Sequence, residues 1–335
     1  MRRSLIAMAR RLKSGGGVVR RAVLVVALVL AGALPARAEP TFKASVLQSV
    51  VTVFPIRERG APIAPPGDIR GEERSGSGVV IRAGGYIATN FHVVTKARQV
   101  FVRLADGREL PAEVVGSDEM TDIALLKVDE DLPPLPMGKE PALGARVCTV
   151  SNPFDVGLTV TCGVVSALHR TGMGFNRIED FIQTDAVLNP GSSGGALVDG
   201  DGALVGLVAA IFTRAADANI GVNFAISGAL VTRVIDDLIA HGHVIPTAVP
   251  LSLAPLPRPA RRTLAGLRVT EVEAGGAAAE AGLAPGDVIT AIAGWPVRKR
   301  SDALTAVFLH RPGDRIPVDI VRGGRKVTLT LAIPK

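Results

Sequence analysis

The run Asn189-Pro190-Gly191-Ser192-Ser193-Gly194-Gly195 sets a serine among glycines. Glycine lets a backbone take positive φ and brings N–H groups close to a substrate carbonyl, so such a loop suits a nucleophile. Serine alone is a weak nucleophile; it needs a general base, and the base needs a carboxylate to orient it. Five histidines are present. His92 follows Gly85-Tyr86-Ile87-Ala88-Thr89-Asn90-Phe91, a polar side chain at the end of a predicted strand. His169 precedes a Thr-Gly-Met-Gly loop, and His310 precedes Arg311-Pro312-Gly313 on a predicted surface turn. His241 and His243 flank Gly242 at a helix end, where a cation is favoured; with no cysteine or acidic pair nearby they do not complete a metal site. Thr121-Asp122-Ile123-Ala124-Leu125-Leu126 sets one acid against an apolar strand. A buried carboxylate needs a partner to stay ionised, and a histidine Nδ1–H is one. Singly, His92 reads as a structural histidine and the glycine-serine run as a loop; with Asp122 the three make a proton relay.

These residues have to be positioned by a chain of 335 residues, 47% hydrophobic, a length that suits two domains. With 37 Gly and 23 Pro among abundant Val, Ala and Leu, it reads as β-rich and globular. Short apolar runs between turn residues predict strands at 49–54, 78–82, 100–104, 123–128, 147–150, 159–168 and 203–212. Many short strands with little helix suggest a β-barrel or sandwich. Helical spacing of Leu230, Val234 and Leu238 predicts a helix over 227–241. Prolines 246, 250, 255, 257 and 259 mark 243–262 as an extended linker. Beyond it, 263–335 reads as a small module with strands at 267–272, 288–293, 316–321 and 326–333, a small helix or turn at 277–281 and a helix at 301–309. Arg298-Lys299-Arg300 reads as solvated surface.

The formal charge of +7 belongs to the first 38 residues, which hold eight basic side chains and no acid. Without those eight, 30 basic residues face 31 acidic ones, a net of −1, which excludes an electrostatic footprint for nucleic acid. Residues 1–38 have the parts of a secretory signal: a basic stretch ending at Arg20-Arg21, 13 apolar residues over 22–34, and Ala36-Arg37-Ala38 before the cut. Spanning a bilayer takes about 20 residues, so cleavage near Ala38 and export are expected, with an uncleaved inner-membrane anchor as the alternative. Export lets disulfides persist. Cys148 and Cys162 lie equidistant from Asp155 and face each other if their strands form a hairpin; they form either a disulfide or two core thiols.

The order His92, Asp122, Ser193 is that of chymotrypsin-like proteases. Around it the chain resembles the HtrA (Deg) serine proteases, over nearly all of 45–335. The matching blocks are Ser75-Gly76-Ser77-Gly78-Val79-Val80-Ile81, the segment around His92, Gly116-Ser117-Asp118 through Lys127, and Ser151-Asn152-Pro153-Phe154. Phe181-Ile182-Gln183-Thr184-Asp185-Ala186, the serine loop and Gly221-Val222-Asn223-Phe224-Ala225-Ile226 follow in order. The resemblance implies an all-β, two-barrel chymotrypsin-like protease domain over 39–242 and a C-terminal mixed α/β PDZ-like module. It implies Ser193 as nucleophile, His92 as base, Asp122 as its orienting group, and the N–H groups of Gly191 and Ser193 as oxyanion hole. Val187 falls at the floor of the P1 pocket and predicts small or medium aliphatic P1 residues. Leu207, Val208, Ala209 and Ala210 are placed on the strand that pairs with substrate.

The function so implied is an ATP-independent endopeptidase, without metal or organic cofactor, that degrades unfolded or damaged envelope proteins in the periplasm. A homotrimer or multiple of trimers is implied too. The alternative is a silent chaperone-like or scaffolding protein, whose mark would be loss of a triad member. The chain departs from the family at Ser151, where Gly is usual, and at Ser192, where Asn is usual. It also departs at Ala248-Val249-Pro250-Leu251, where proline removes one N–H from the loop that holds a peptide carboxylate. The module is therefore read either as a peptide binder or as a structural element. The stretch 55–74 resembles the family's long loop before the first catalytic block.

Overall fold

The computed structural model describes residues 42–57, 75–211 and 221–334. The leader read in residues 1–38 lies outside these, as does 58–74 of the long loop. Pro55 and Ile56, expected in that loop, instead end strand β1 (Val50–Ile56). There, among the described residues, β1 pairs only with β4, its contact with β2 having ended at Val53, so a residue without an N–H is tolerated.

The first barrel contains β1, β2 (Gly76–Arg82), β3 (Tyr86–Thr89), β4 (Gln99–Arg103), β5 (Glu109–Asp118) and β6 (Ile123–Lys127), closed in the order β1-β2-β3-β6-β5-β4. The second contains β7 (Arg146–Ser151), β8 (Thr159–Arg170), β9 (Phe181–Thr184), β10 (Ala196–Val198), β11 (Leu204–Ile211) and β12 (Asn223–Ser227), closed as β10-β11-β12-β9-β8-β7. Both faces of β1 are buried. Val50 joins Val79, Ile81 and Leu125 in a cluster that runs on to Phe181 and Phe224 of the second barrel. Val51 and Val53 join Val80, Ile87 and Leu126 in another. Such strands read as continuous apolar runs rather than alternating ones. Cys148 and Cys162 stand opposite each other on β7 and β8, with Cα atoms 4.0 Å apart, and are bonded through sulfur.

Helix α1 (Phe91–Val94) is a single turn after β3. Helix α2 (Gly228–His241) begins where the Ser227 hydroxyl accepts the Leu230 N–H and ends at Gly242 with φ 73°. It buries Leu230, Val234 and Leu238 against both barrels.

The C-terminal module is a sheet of β13 (Leu251–Pro255), β14 (Leu267–Val272), β15 (Val288–Ile292), β17 (Arg315–Arg322) and β18 (Arg325–Ala332), in that spatial order, with the short β16 (Trp295–Pro296) on β15. Helices α3 (Ala277–Glu280) and α4 (Arg300–Phe308) complete it. Strand β13 corrects the expectation that 243–262 is all linker. Among the described residues it pairs only with β14, so its outer edge needs no N–H from Pro255. The module is fastened to the second barrel. Phe308, 2% exposed, sits in the cluster that contains α2. Asp302 accepts the Thr171 hydroxyl and the Arg298 and Lys299 N–H groups, and the Thr305 hydroxyl donates to the Glu179 carbonyl at 2.9 Å. Arg311 bonds to Asp237, itself paired with Arg233. The Arg298-Lys299-Arg300 cluster is exposed, and within it Lys299 bonds to the Thr171 carbonyl and Arg300 to that of Leu253.

Candidate active site

His92 enters on α1 and Asp122 on the turn into β6, where its φ of 60° is a left-handed conformation costly for a non-glycine residue. That turn is held from several sides. The Asp122 carbonyl accepts Asn90 Nδ2 at 3.0 Å and the Phe91 N–H at 3.2 Å. Thr121 donates its N–H and hydroxyl to Asp118, and Asn176 donates to the Thr121 carbonyl at 3.3 Å. So fixed, the Asp122 carboxylate accepts the His92 backbone N–H at 2.9 Å with Oδ1 and meets His92 Nδ1 at 2.8 Å with Oδ2. An ionised carboxylate only accepts, so Nδ1 carries the proton and Nε2 is left as an acceptor.

Ser193 lies between Gly191 (φ 96°) and Gly194 (φ 84°). A Cβ on Gly194 would stand 2.1 Å from the Ser77 carbonyl oxygen, so only glycine fits this approach of the two barrels. Carbonyls of the serine loop are claimed one by one: that of Pro190 by the Phe154 N–H at 2.8 Å, Gly191 by the Ser77 hydroxyl at 2.8 Å, and Ser193 by the Ser77 N–H at 2.7 Å. In a trans peptide C=O and N–H point opposite ways, so fixing the Pro190 carbonyl directs the Gly191 N–H to the other side. Among the described residues no backbone acceptor takes the N–H of Gly191 or Ser193. Two free, fixed donors flank one hydroxyl, the arrangement that stabilises an oxyanion.

His92 and Asp122 are in contact, whereas the Ser193 hydroxyl donates to the Ala209 carbonyl at 3.3 Å and not to His92. The two halves meet across Gly76, where a Cβ would stand 2.6 Å from Val93 Cγ1 and 3.2 Å from the Ser193 carbonyl oxygen. Turning Ser193 about χ1 redirects its hydroxyl without moving that backbone. Val187 is 47% exposed and its carbonyl accepts the Thr161 hydroxyl at 2.6 Å, while Asn223 holds the Ala186 carbonyl. The expected substrate strand is shorter than 207–210. Leu207 pairs with Ala196 on one side and Ile226 on the other, and Val208 exchanges bonds with Gly194 and Gly195, so neither offers a free edge. A bulge at Ala209 interrupts the ladder with β12, and the open edge of β11 begins there. Ala210 continues it, its side chain lying outside the described residues.

The residues alone did not reveal what surrounds His169. Its Nδ1 lies 3.1 Å from Asp180 and its Nε2 3.2 Å from Glu140, and its ring centre is 4.1 Å from that of Trp295 in the C-terminal module. The hydrogen bond it donates to Asp180 raises its pKa; burial opposes this, and the charges of Asp180 and Glu140 add to it. Nearby, the Glu179 carboxylate gathers the N–H groups of residues 173 to 176. A second concavity, a groove of about 550 Å³, runs between β13 and α4, lined by Leu251, Leu253, Ile289 and Val307 among others, with Arg300 at its rim.

A trypsin-like peptidase domain model matches residues 76–207 and a PDZ domain model residues 220–333. The serine endoprotease DegS of Escherichia coli (strain K12) is 38% identical over 269 residues, covering 77% of this chain and 76% of that protein. The periplasmic serine endoprotease DegP of the same strain is 37% identical over 271 residues, and there the match covers 56% of the relative's length. Among solved structures, the HtrA-type protease AlgW with tripeptide is 38% identical with a TM-score of 0.67, covering 86% of this chain and 94% of that one.

Proposed function

Since this chain belongs to the HtrA-type (Deg) serine endoproteases, we propose that it acts outside the cytoplasm on unfolded or damaged envelope proteins, through a His92-Asp122-Ser193 triad. His92 Nε2 takes the proton of Ser193 as Oγ attacks the scissile carbonyl. The Gly191 and Ser193 N–H groups receive the oxyanion, a contribution of about 3–4 kcal/mol per donor. His92 then protonates the leaving amine and, in deacylation, draws the proton from water. Asp122 keeps the ring oriented and stabilises its cationic form. The observation that carries this reading is the doubly bonded Asp122–His92 pair beside a loop with two open N–H groups.

Val187 is assigned to the P1 pocket, where an apolar branched side chain favours small or medium aliphatic residues over Arg or Lys. The β13 edge and its groove suit a hydrophobic C-terminal peptide added as a strand, and the similar HtrA-type protease AlgW is one solved with a tripeptide. In this assignment Val249 and Leu251 supply N–H groups to its carboxylate and Pro250 supplies none. Export through cleavage near Ala38, and assembly as a trimer or multiple of trimers, belong to the same proposal. Its test is proteolysis of reduced casein by protein beginning at Glu39, beside Ser193→Ala. Cleavage by the first and none by the second is expected; equal cleavage by both, or none by either folded protein, overturns the reading.

A further inference from the structure

We propose that Ser151 is a positioning residue for the oxyanion hole and acts through Ser192. The proposal rests on the reading of the Gly191 and Ser193 N–H groups as oxyanion donors. Ser192 stands between those two donors and is 2% exposed; Ser151, at the end of β7, is 3% exposed. The Ser151 hydroxyl donates to Ser192 Oγ at 3.0 Å, and the same oxygen accepts the Asn189 N–H at 3.3 Å. The serine loop lies directly on the segment that carries Ser151. A Cβ on Gly195 would stand 2.7 Å from Ser151 Cβ and 2.6 Å from the Val150 carbonyl oxygen, and one on Gly191 2.6 Å from the Asn152 carbonyl oxygen.

The carbonyls before and after Ser192 are held by backbone or Ser77 donors, its own carbonyl accepts the Gly195 N–H at 3.0 Å, and its side chain, bonded to Ser151, adds a further hold from the β7 side. Its two flanking peptide planes carry its own N–H, bonded to the Asn189 carbonyl at 2.9 Å, and the Ser193 N–H that faces the reaction. Turning either plane drags Ser192 Oγ off Ser151 in a site too dry for water to replace the bond. Residues 151 and 192 are thus one feature, a buried hydroxyl pair beneath the serine loop. An interaction that aims donors at a charge formed only in the transition state appears in kcat and not in KM.

The test compares a peptide ester with its thionoester, whose sulfur is a poor hydrogen-bond acceptor and draws little from the hole. Ser151→Gly is expected to lower ester kcat about ten-fold with KM and the thionoester rate within about two-fold. Ser192→Asn, crowding Ser151, lowers it further. The double variant recovers most of the loss, because the missing hydroxymethyl leaves room for the carboxamide, so the two effects are not additive. The retained thionoester rate shows that a variant is folded. Equal slowing of both substrates, an additive double variant, or an unchanged Ser151→Gly overturns the proposal. Wild-type ester hydrolysis that survives Ser193→Ala removes the functional reading itself, and this inference with it.

Discussion

Asp122→Asn separates the chemistry of this site from its stability. Both carboxylate oxygens are used: Oδ1 by the His92 backbone N–H at 2.9 Å and Oδ2 by Nδ1–H at 2.8 Å. An asparagine retains one acceptor. It keeps the backbone bond and turns its NH₂ toward Nδ1, which must then accept, so the ring proton moves to Nε2, where it faces Ser193. The base is lost although the ring stays in place. The carbonyl bonds from Asn90 and Phe91 that hold the turn are untouched. The expected outcome is a fall in kcat of about 10⁴-fold, equivalent to about 5.5 kcal/mol, with a loss of stability of about 1 kcal/mol. Peptide hydrolysis at neutral pH beside a thermal melt measures both. Turnover within ten-fold of wild type would refute the assignment of Asp122, as would a protein that simply unfolds.

Gly194→Ala puts a Cβ 2.1 Å from the Ser77 carbonyl oxygen at a φ of 84°, so activity disappears and the melting temperature drops, read by casein digestion and calorimetry. His169 has a folded-state pKa raised above the 6.5 usual for a histidine, chiefly by its bond to Asp180. The stabilisation it brings is therefore complete below the unfolded pKa and is lost as pH rises through the folded one. Trp295 is the one tryptophan and touches His169, so its fluorescence is expected to brighten as pH rises above 6.5, and to stay flat in His169→Gln. Replacing Cys148 and Cys162 together by serine opens a loop with a sequence separation of 14 and costs about 3 kcal/mol, seen as a lower denaturant midpoint.

Strands such as β1, β2, β6 and β7 are buried on both faces and announce themselves as apolar runs, which pointed to a barrel or sandwich; the two-barrel form came from the resemblance to the protease family. The strand Glu109–Asp118 was not legible, because its residues are exposed or half-buried and include Glu109, Glu113, Gly116 and Asp118. Strand β13 was hidden by the prolines around it, which an edge strand tolerates. At the site, a glycine-serine loop, a histidine at a strand end and an acid beside an apolar run carry local signals. What the neighbours do to them carries none. Phe154 reaches Pro190, Ser77 reaches Gly191 and Asn176 reaches Thr121 across long stretches of chain, and each bond is made by a backbone or a common polar side chain. His169 was left without a partner for the same reason: Asp180 and Glu140 lie on other segments and Trp295 in another module. Arg298-Lys299-Arg300 is the exposed charge run it reads as; the bond from Lys299 to Thr171 carried no local signal, because Thr171 is 128 residues away.

The central claim is that Ser193 is a nucleophile activated by His92. A fluorophosphonate reacts only with an activated hydroxyl and needs no knowledge of the substrate. Incubating the folded protein with such a probe and mapping the adduct by peptide mass spectrometry tests the claim most directly. The account predicts one adduct, on Ser193, lost in His92→Ala and in Asp122→Asn. An unlabelled Ser193 in a folded protein, or labelling that is indifferent to His92, would contradict it.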